Sequence, residues 1–116
     1  MSLQHAVITA EQNGGVSYNL QNGHMNPDTG YMVSVQGKER QSPTLTYHNV
    51  LGYVNENTDA LSSHSYLGLW KDEDIWYMDV SFCFDGLEEA LNEAEKNNQK
   101  AIYDNANKKT IYLWTS

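Results

Sequence analysis

Residues 70–113 have the sequence WKDEDIWYMDVSFCFDGLEEALNEAEKNNQKAIYDNANKKTIYL. This stretch predicts a strand, a helix and a hairpin in succession. Apolar side chains alternate from residue 75 to residue 84, a period of two that is typical of a strand with one buried face. The predicted core face carries Trp76, Met78, Val80, Phe82 and Phe84, and the opposite face carries Ile75, Tyr77, Asp79, Ser81 and Cys83. The second face is mixed in polarity, so we expect it to be half-covered or exposed.

A helix is predicted directly after this strand. Asp85 is its predicted N-cap, and Glu88 stands where it would complete a capping box. Residues 97–98 (Asn-Asn) are expected to end the helix, and residues 100–104 and 110–114 to pair as a closing hairpin. The apolar positions that recur at the spacing of one helical face are Leu87, Ala90, Leu91 and Ala94.

The first third of the chain is predicted to be rich in short strands joined by loops. Strands are expected at residues 6–9, 16–20 and 31–36. Residues 26–30 (Asn-Pro-Asp-Thr-Gly) predict a turn, because Pro sets φ and Gly admits a positive φ. Apart from the short strand, residues 1–15 are expected to be irregular or partly flexible.

Residues 37–43 are expected to be a polar connection. After them the apolar residues recur with a helical period. Thr44 is the predicted N-cap of this helix, which is expected to end near residues 55–57. Its predicted apolar face carries Tyr47, Val50, Leu51 and Val54. Residues 66–70 are then expected to form a strand, joined by a tight charged turn at residues 71–74 to the strand that begins at Ile75.

These elements predict a single compact α+β domain that spans residues 1–116. The expected order is β(β)β-α-ββ-α-ββ, with about five or six antiparallel strands and two helices. A chain of 116 residues is close to the commonest domain size, so we expect one core.

The balance of charge bounds the function. Seven basic residues stand against fifteen acidic ones, a net charge of -8. Binding to a phosphate backbone or to an anionic membrane needs clustered Lys and Arg, so neither direct nucleic-acid binding nor membrane binding is expected. Cys83 is the sole cysteine, which excludes an internal disulfide, and the polar start lacks a signal-peptide core. We expect a cytoplasmic protein.

Much of the negative charge lies in one segment. Residues 72–95 hold nine carboxylates and neither Lys nor Arg. Acidic residues in the first turns of a helix match its dipole and keep a protein soluble, which explains most of this pattern. A partner-facing acidic surface is the additional role we consider for Asp72, Glu73, Asp74, Glu88, Glu89, Glu93 and Glu95.

No catalytic, cofactor or metal site is predicted. The four histidines lack the spacing of a zinc site, and no glycine-rich phosphate loop is present. Cys83 lies in mid-strand between two Phe residues, where a packed or half-buried thiol is expected. Asp79 is unusual because Asp is depleted inside strands. We expect it to face water or to pair with a neighbour such as a Lys or Tyr.

Four short motifs carry a resemblance. They are Gly30-Tyr31-x-Val33-Ser34, Leu67-Gly68-x-Trp70-x-Asp72, Tyr77-x-Asp79-Val80-Ser81 and Asn98-Gln99-x-Ala101-Ile102-Tyr103-Asp104. Together they resemble small uncharacterised proteins of bacteriophages, prophages and related mobile elements, over residues 30–113. The resemblance implies an accessory protein in the cytoplasm of a bacterial host. It implies no activity and no catalytic residue.

Four functions therefore stay open on the sequence. The favoured one is a non-enzymatic module that binds a host or phage protein. A sharper form of it is an acidic decoy that occupies the nucleic-acid site of a defence protein. The alternatives are a small enzyme using Asp79 or Asp104 with a nearby His or Tyr, and a homodimer formed through the mixed strand face or a hairpin edge.

Overall fold

A computed structural model describes residues 3–113 of the chain. Within this range it contains three helices and seven strands. In chain order they are α1 (Leu3–Asn13), β1 (Gly15–Tyr18), β2 (Tyr31–Ser34), β3 (Arg40–Ser42), α2 (Tyr47–Glu56), β4 (Ser65–Asp72), β5 (Ile75–Phe84), α3 (Leu87–Lys96), β6 (Ala101–Asp104) and β7 (Lys109–Tyr112). The predicted α+β class is confirmed, with one more helix than expected and more strands.

All strands belong to one antiparallel sheet in the order β1-β4-β5-β2-β6-β7. The ten-residue strand β5 is central because it is hydrogen-bonded along both edges. Strand β4 pairs with one edge, while β2 and β3 share the other, β2 opposite residues 81–84 and β3 opposite residues 76–78. The loop between β2 and β3 therefore passes beside the middle of β5.

The three helices pack on one face of this sheet. Side chains of α1 and α2 join those of β1, β4 and β5 in a first apolar cluster. Side chains of α3 join those of β2 and β6 in a second cluster, made of Val33, Ala90, Ala94 and Ile102. The first cluster contains Trp76, Met78 and Val80 of the predicted core face, whereas Phe82 and Phe84 at the end of β5 are only half-buried.

The expected strand at residues 6–9 is wrong, because this segment lies inside α1. Ala6, Val7 and Ala10 are buried against β1 and the rest of the first cluster, a spacing that suits a helix. The β-branched pair Val7-Ile8 suggested a strand locally, and tertiary packing overrides that preference. The irregular segment expected over residues 1–15 is thus helical from Leu3 to Asn13, and Met1 and Ser2 lie outside the described residues.

The second helix begins later than predicted, and part of the expected polar connection is strand β3. Thr46, not Thr44, is the N-cap, since its hydroxyl accepts the backbone N–H of Asn49 at 3.1 Å. The buried side chains of α2 are Val50 and Tyr53, whereas Tyr47 of the predicted face is 44% exposed. The hydroxyl of Tyr53 donates to the carbonyl of Lys38, which explains how a polar aromatic residue joins the core.

The segment after β5 follows the prediction except at the helix cap. Gly86 is the N-cap of α3 and makes no side-chain capping bond, so the capping box predicted for Asp85 and Glu88 is wrong. Ala90 and Ala94 are buried as expected, while Leu87 is exposed. The closing hairpin is confirmed as β6 and β7, apart from Trp114, which lies outside the described residues. No described helix is long and apolar enough to cross a membrane.

Two threonines allow a direct test of the second helix. We expect Thr46→Ala to lower the free energy of unfolding by about 1 kcal/mol, because it removes the acceptor for a first-turn amide. The matched control is Thr44→Ala, which removes an exposed hydroxyl that makes no capping bond. Urea unfolding monitored by circular dichroism measures both, and a larger loss for Thr44→Ala would contradict the observed helix start.

Candidate binding site on the helix-free sheet face

The face of the sheet opposite the helices, here called the open face, carries an unusual mixture of aromatic and polar side chains. The strand register defines its members. They include Tyr66, Gly68 and Trp70 of β4, Tyr77, Asp79, Ser81 and Cys83 of β5, Met32 and Ser34 of β2, Tyr103 of β6 and Tyr112 of β7. Neither apolar cluster of the helical side includes any of them.

Asp79 lies at the centre of this face and is only 6% exposed. Its carboxylate accepts hydrogen bonds from the indole Nε1 of Trp70 at 3.0 Å and from the hydroxyl of Ser81 at 3.0 Å. The hydroxyl of Ser34 lies at 3.4 Å from Oδ2 of Asp79 and at 3.3 Å from the hydroxyl of Ser81. Asp79 therefore does not face water but pairs with neighbours, which are Trp and Ser and not the Lys or Tyr expected as examples.

Room for this carboxylate comes from a glycine on the neighbouring strand. Gly68 of β4 lies directly opposite Asp79 of β5. A Cβ atom at Gly68 would lie 2.2 Å from Oδ1 of Asp79, a separation that atoms cannot adopt. The side chain of Asp79 therefore occupies the space that any larger residue at position 68 would need. We call Asp79, Trp70, Ser81, Ser34 and Gly68 the Asp79 cluster.

Burial raises the pKa of Asp79 above its ordinary value, because the charged form loses its hydration. The hydrogen bonds from Trp70, Ser81 and Ser34 act in the opposite direction, since they favour the carboxylate. No described salt bridge reaches Asp79. Burial likewise raises the pKa of Glu39, and the negative charge of Asp79 adds to this effect. A carboxylate is thus held in the sheet by neutral donors alone.

Trp70 and Tyr77 form an aromatic pair on the open face. Their rings stack with centroids 4.2 Å apart and planes inclined by 11°. Trp70 remains 38% exposed although it is anchored through its indole N–H to Asp79. The two rings therefore form a fixed aromatic surface whose orientation is set before any ligand arrives. A large ring held rigidly at the surface is a common feature of protein interfaces.

Other contacts form the rim of the open face. Nδ1 of His24 lies 3.0 Å from the hydroxyl of Tyr66 on the β1 side. On the far side Cys83 is half-buried, as predicted, and its thiol lies 3.5 Å from the carbonyl of Thr29 and 3.6 Å from Nδ2 of Asn105. Burial raises the pKa of Cys83, which disfavours a reactive thiolate. Tyr103 and Tyr112 are exposed by 41% and 67%.

Two acidic patches, not one surface, hold the carboxylates that the sequence grouped together. Asp72, Glu73 and Asp74, the turn patch, are exposed at the end of the β4–β5 hairpin. The helix patch comprises Glu88, Glu89, Glu93 and Glu95 of α3. Strand β5 separates the hairpin turn from the start of α3, a length of about 30 Å at about 3.3 Å per residue. The charges of the two patches are therefore largely screened from each other in physiological salt.

The turn patch has a strained backbone. Asp72 and Ile75 are the last paired residues of the hairpin, so Glu73 and Asp74 form a two-residue loop, with φ of 50° and 68°. Positive φ at both positions defines a type I′ turn, which strongly favours Asn-Gly. Glu and Asp are costly there. Lys71 lies 4.0 Å from Asp74, and neither Asp72 nor Glu73 belongs to a described salt bridge.

The remaining candidates for chemistry lie apart from the open face. Asp104, now at the β6–β7 turn, accepts bonds from the Asn107 side chain and from two backbone amides, which hold its pKa below the ordinary value. A hollow of about 370 Å³ lies between β3 and α2 and is lined by Arg40, His48 and Gly52 among others. Arg40 is paired there with Glu56. Among residues 3–113, no three His, Cys, Asp or Glu side chains gather as a metal site would require.

No family model, curated protein or solved structure matches this chain significantly. The motifs quoted from the sequence nevertheless meet in space, because they fall on the neighbouring strands β4, β5, β2 and β6. Every member of the Asp79 cluster belongs to one of them. Sequence reasoning singled out Asp79 but missed its partners. The alternation of β4 and β5 placed Trp70 and Asp79 on strands, but their pairing depends on a register that the sequence alone does not define.

Two glycine substitutions should change stability in opposite directions. We expect Gly68→Ala to destabilise the fold by about 1–3 kcal/mol, because the new methyl group overlaps the Asp79 carboxylate. Gly52→Ala, within α2, has open space around the new atom and should stabilise by about 0.5–1 kcal/mol. Denaturant unfolding of both variants measures the contrast. A neutral Gly68→Ala would show that the carboxylate does not occupy this position.

Asp79→Asn tests the buried carboxylate through the pH dependence of stability. The pKa of Asp79 is higher in the folded chain than in the unfolded one, so the folded state binds this proton more tightly. Its contribution to stability therefore falls as pH rises from the ordinary Asp value of about 3.9 to the raised value. We expect the advantage of Asp79→Asn over the wild type to grow with pH across this interval and then to stay constant.

Urea unfolding at about pH 4, 6 and 8 measures this difference. Asp28→Asn is the matched control, because it also removes one carboxylate, an exposed one outside the cluster. A difference between Asp79→Asn and the wild type that does not vary with pH would contradict the raised pKa of Asp79.

Proposed function

We propose that this chain is a non-enzymatic module that binds another protein through the open face of its sheet. The observation that carries the proposal is the set of exposed aromatic rings on that face. Trp70, Tyr103 and Tyr112 are all substantially exposed, although each is large and largely apolar. Tyr and Trp are the residues that interfaces favour, since they bury a large area at a low cost in conformational entropy.

The geometry of Asp79 supports a structural role in this face and not a catalytic one. Both of its oxygens already accept hydrogen bonds from within the cluster. A general base needs a free oxygen directed towards a substrate. The cluster instead orients the indole of Trp70, and the carboxylate of Asp79 fills the space beside Gly68. Asp79 therefore supports the proposed contact surface by fixing its central ring.

The acidic decoy is the second candidate, and the helix patch is the observation that favours it. Its four carboxylates lie on one helix, where Glu93 alone has a described cationic partner, Lys96 at 3.5 Å. Such a surface attracts a basic cleft and does so less well at high salt. The length of β5 between the turn patch and the start of α3 argues against the decoy, because Glu88 and Glu89 do not adjoin the turn.

We also propose that the chain is a cytoplasmic accessory protein of phage or mobile-element type, whose partner is a host or phage protein. The resemblance of the four motifs supports this, and three of the four contribute residues to the Asp79 cluster. A net charge of -8 argues against direct binding to nucleic acid or to an anionic membrane. Genes for replication, tail or anti-defence proteins are the expected neighbours of its gene.

Photo-crosslinking tests the proposed surface. We expect a photoreactive phenylalanine at Tyr103 to yield a discrete protein adduct in the host lysate. The same group at Tyr47 on α2 should not, although the two side chains are similarly exposed, by 41% and 44%. An excess of wild-type chain without the photoreactive residue should compete for the partner and abolish the adduct. The readout is the adduct band on a denaturing gel, followed by mass spectrometry.

The opposite results are equally informative. Equal labelling from Tyr47 and Tyr103 would contradict a contact restricted to the open face. If the photoreactive residue at Glu89 gave a salt-sensitive adduct while the one at Tyr103 gave none, the decoy would be favoured. A molar mass of two chains in light scattering of the pure protein would identify the homodimer alternative.

A further inference from the structure

We propose that the Trp70–Tyr77 pair, together with the turn patch beside it, binds a cationic side chain in a basic segment of the partner protein. This inference rests on the proposed protein-binding function and specifies the chemistry of its ligand. The site lies at the hairpin end of the open face. Trp70 and Tyr77 are register partners there, Asp72 and Ile75 are the last pair of the same ladder, and Glu73 and Asp74 form the loop.

The aromatic pair is prepared to receive a cation. The faces of Trp and Tyr rings attract Lys or Arg, with Trp the strongest and Arg the more frequent partner. Trp70 is exposed, and its position is determined by the bond from Nε1 to Asp79 and by the stack on Tyr77. Among residues 3–113 the described cation–ring contact is that of Arg40 with Tyr53, on the other face of the sheet. No described cation occupies the pair.

The charges around the pair agree with a cationic ligand. Asp72 lies two residues after Trp70 on β4, so its side chain belongs to the same face. Lys71 on the same strand belongs to the opposite face, where its register partner is Trp76. It lies 4.0 Å from Asp74, which leaves Asp72 and Glu73 outside the described salt bridges. A guanidinium over Trp70 would thus have a carboxylate beside it. Arg combines stacking on a ring with bidentate binding of a carboxylate, which makes it the preferred ligand.

The same charges argue against a second copy of this chain as the occupant. Two molecules of net charge -8 would bring like charges together at this end of the sheet. A basic segment of a different protein satisfies the site more simply.

Binding of a capped tetra-arginine peptide tests the inference. In ¹⁵N-labelled protein we expect saturable shifts of the Trp70 indole N–H and of the amides of residues 72–74. The indole signal is assigned by its loss in Trp70→Phe. Affinity should decrease between about 20 mM and about 300 mM salt, because exposed charges are screened. Tetra-lysine should bind more weakly, and tetra-glutamine should not bind.

Two variants separate the contribution of the aromatic ring from that of the carboxylates. Trp70→Ala should weaken binding of the arginine peptide about three- to tenfold, through loss of the ring. Replacing Glu73-Asp74 with Asn-Gly (E73N/D74G) should weaken it by about as much, since two carboxylates are lost. That double variant should unfold at the same or a higher urea concentration, because Asn-Gly suits the type I′ turn. Loss of binding is then not a loss of folding.

The matched control is E88Q/E89Q, which removes the same number of carboxylates from the helix patch and should change affinity less than about twofold. Equal binding of tetra-glutamine, absence of any peptide binding, or shifts that E88Q/E89Q abolishes would each overturn the inference. The same shifts produced by raising protein concentration alone would identify a second copy and overturn it as well. If peptides fail while crosslinks from Tyr103 persist, the cationic ligand is wrong and the proposed function stands.

Discussion

The hydrogen bonding of the Asp79 carboxylate is the constraint on which the open face depends. A buried carboxylate must be paired or hydrogen-bonded, because its desolvation is costly. Here the neutral donors Trp70, Ser81 and Ser34 meet that need from three positions on three strands. The same carboxylate requires Gly68 opposite it. One acidic residue therefore determines the register of β4 against β5, the direction of an exposed indole and the size of its neighbour.

This constraint also explains why the two faces of the sheet differ so much. The helical face is packed with aliphatic and aromatic side chains, and Tyr53 among them donates to the carbonyl of Lys38. The open face combines a polar centre with an aromatic rim, and no buried side-chain N or O atom of the described residues lacks a hydrogen-bond partner. Such a face is rigid without a covering helix. Rigid exposed rings lose little entropy on binding, which favours their use as a contact surface.

Local sequence patterns predicted the second half of the fold, and distant contacts decided the first. The alternation from Ile75 to Phe84 and the helical spacing through Ala90 and Ala94 are complete within one segment, and both elements formed as expected. By contrast, the segment of α1 carries two local patterns. Leu3, Ala6, Val7 and Ala10 have the spacing of one helical face, whereas the pair Val7-Ile8 favours a strand, and packing on β1 and β4 decides for the helix. Strand β3 exists because β5 offers a free edge beside Met78.

The candidate site shows the same division. Asp79 was recognisable because Asp is rare inside strands, and the exposed turn at residues 72–74 followed from its charge. The indole partner and the glycine opposite depend on register, and a shift of one residue would place Trp70 among the helices. The proposed cation site gives a reason for the strained backbone of the Glu73-Asp74 turn. A chain selected for stability alone would carry Asn-Gly there, so the retained carboxylates beside an exposed ring are consistent with a ligand that needs their charge.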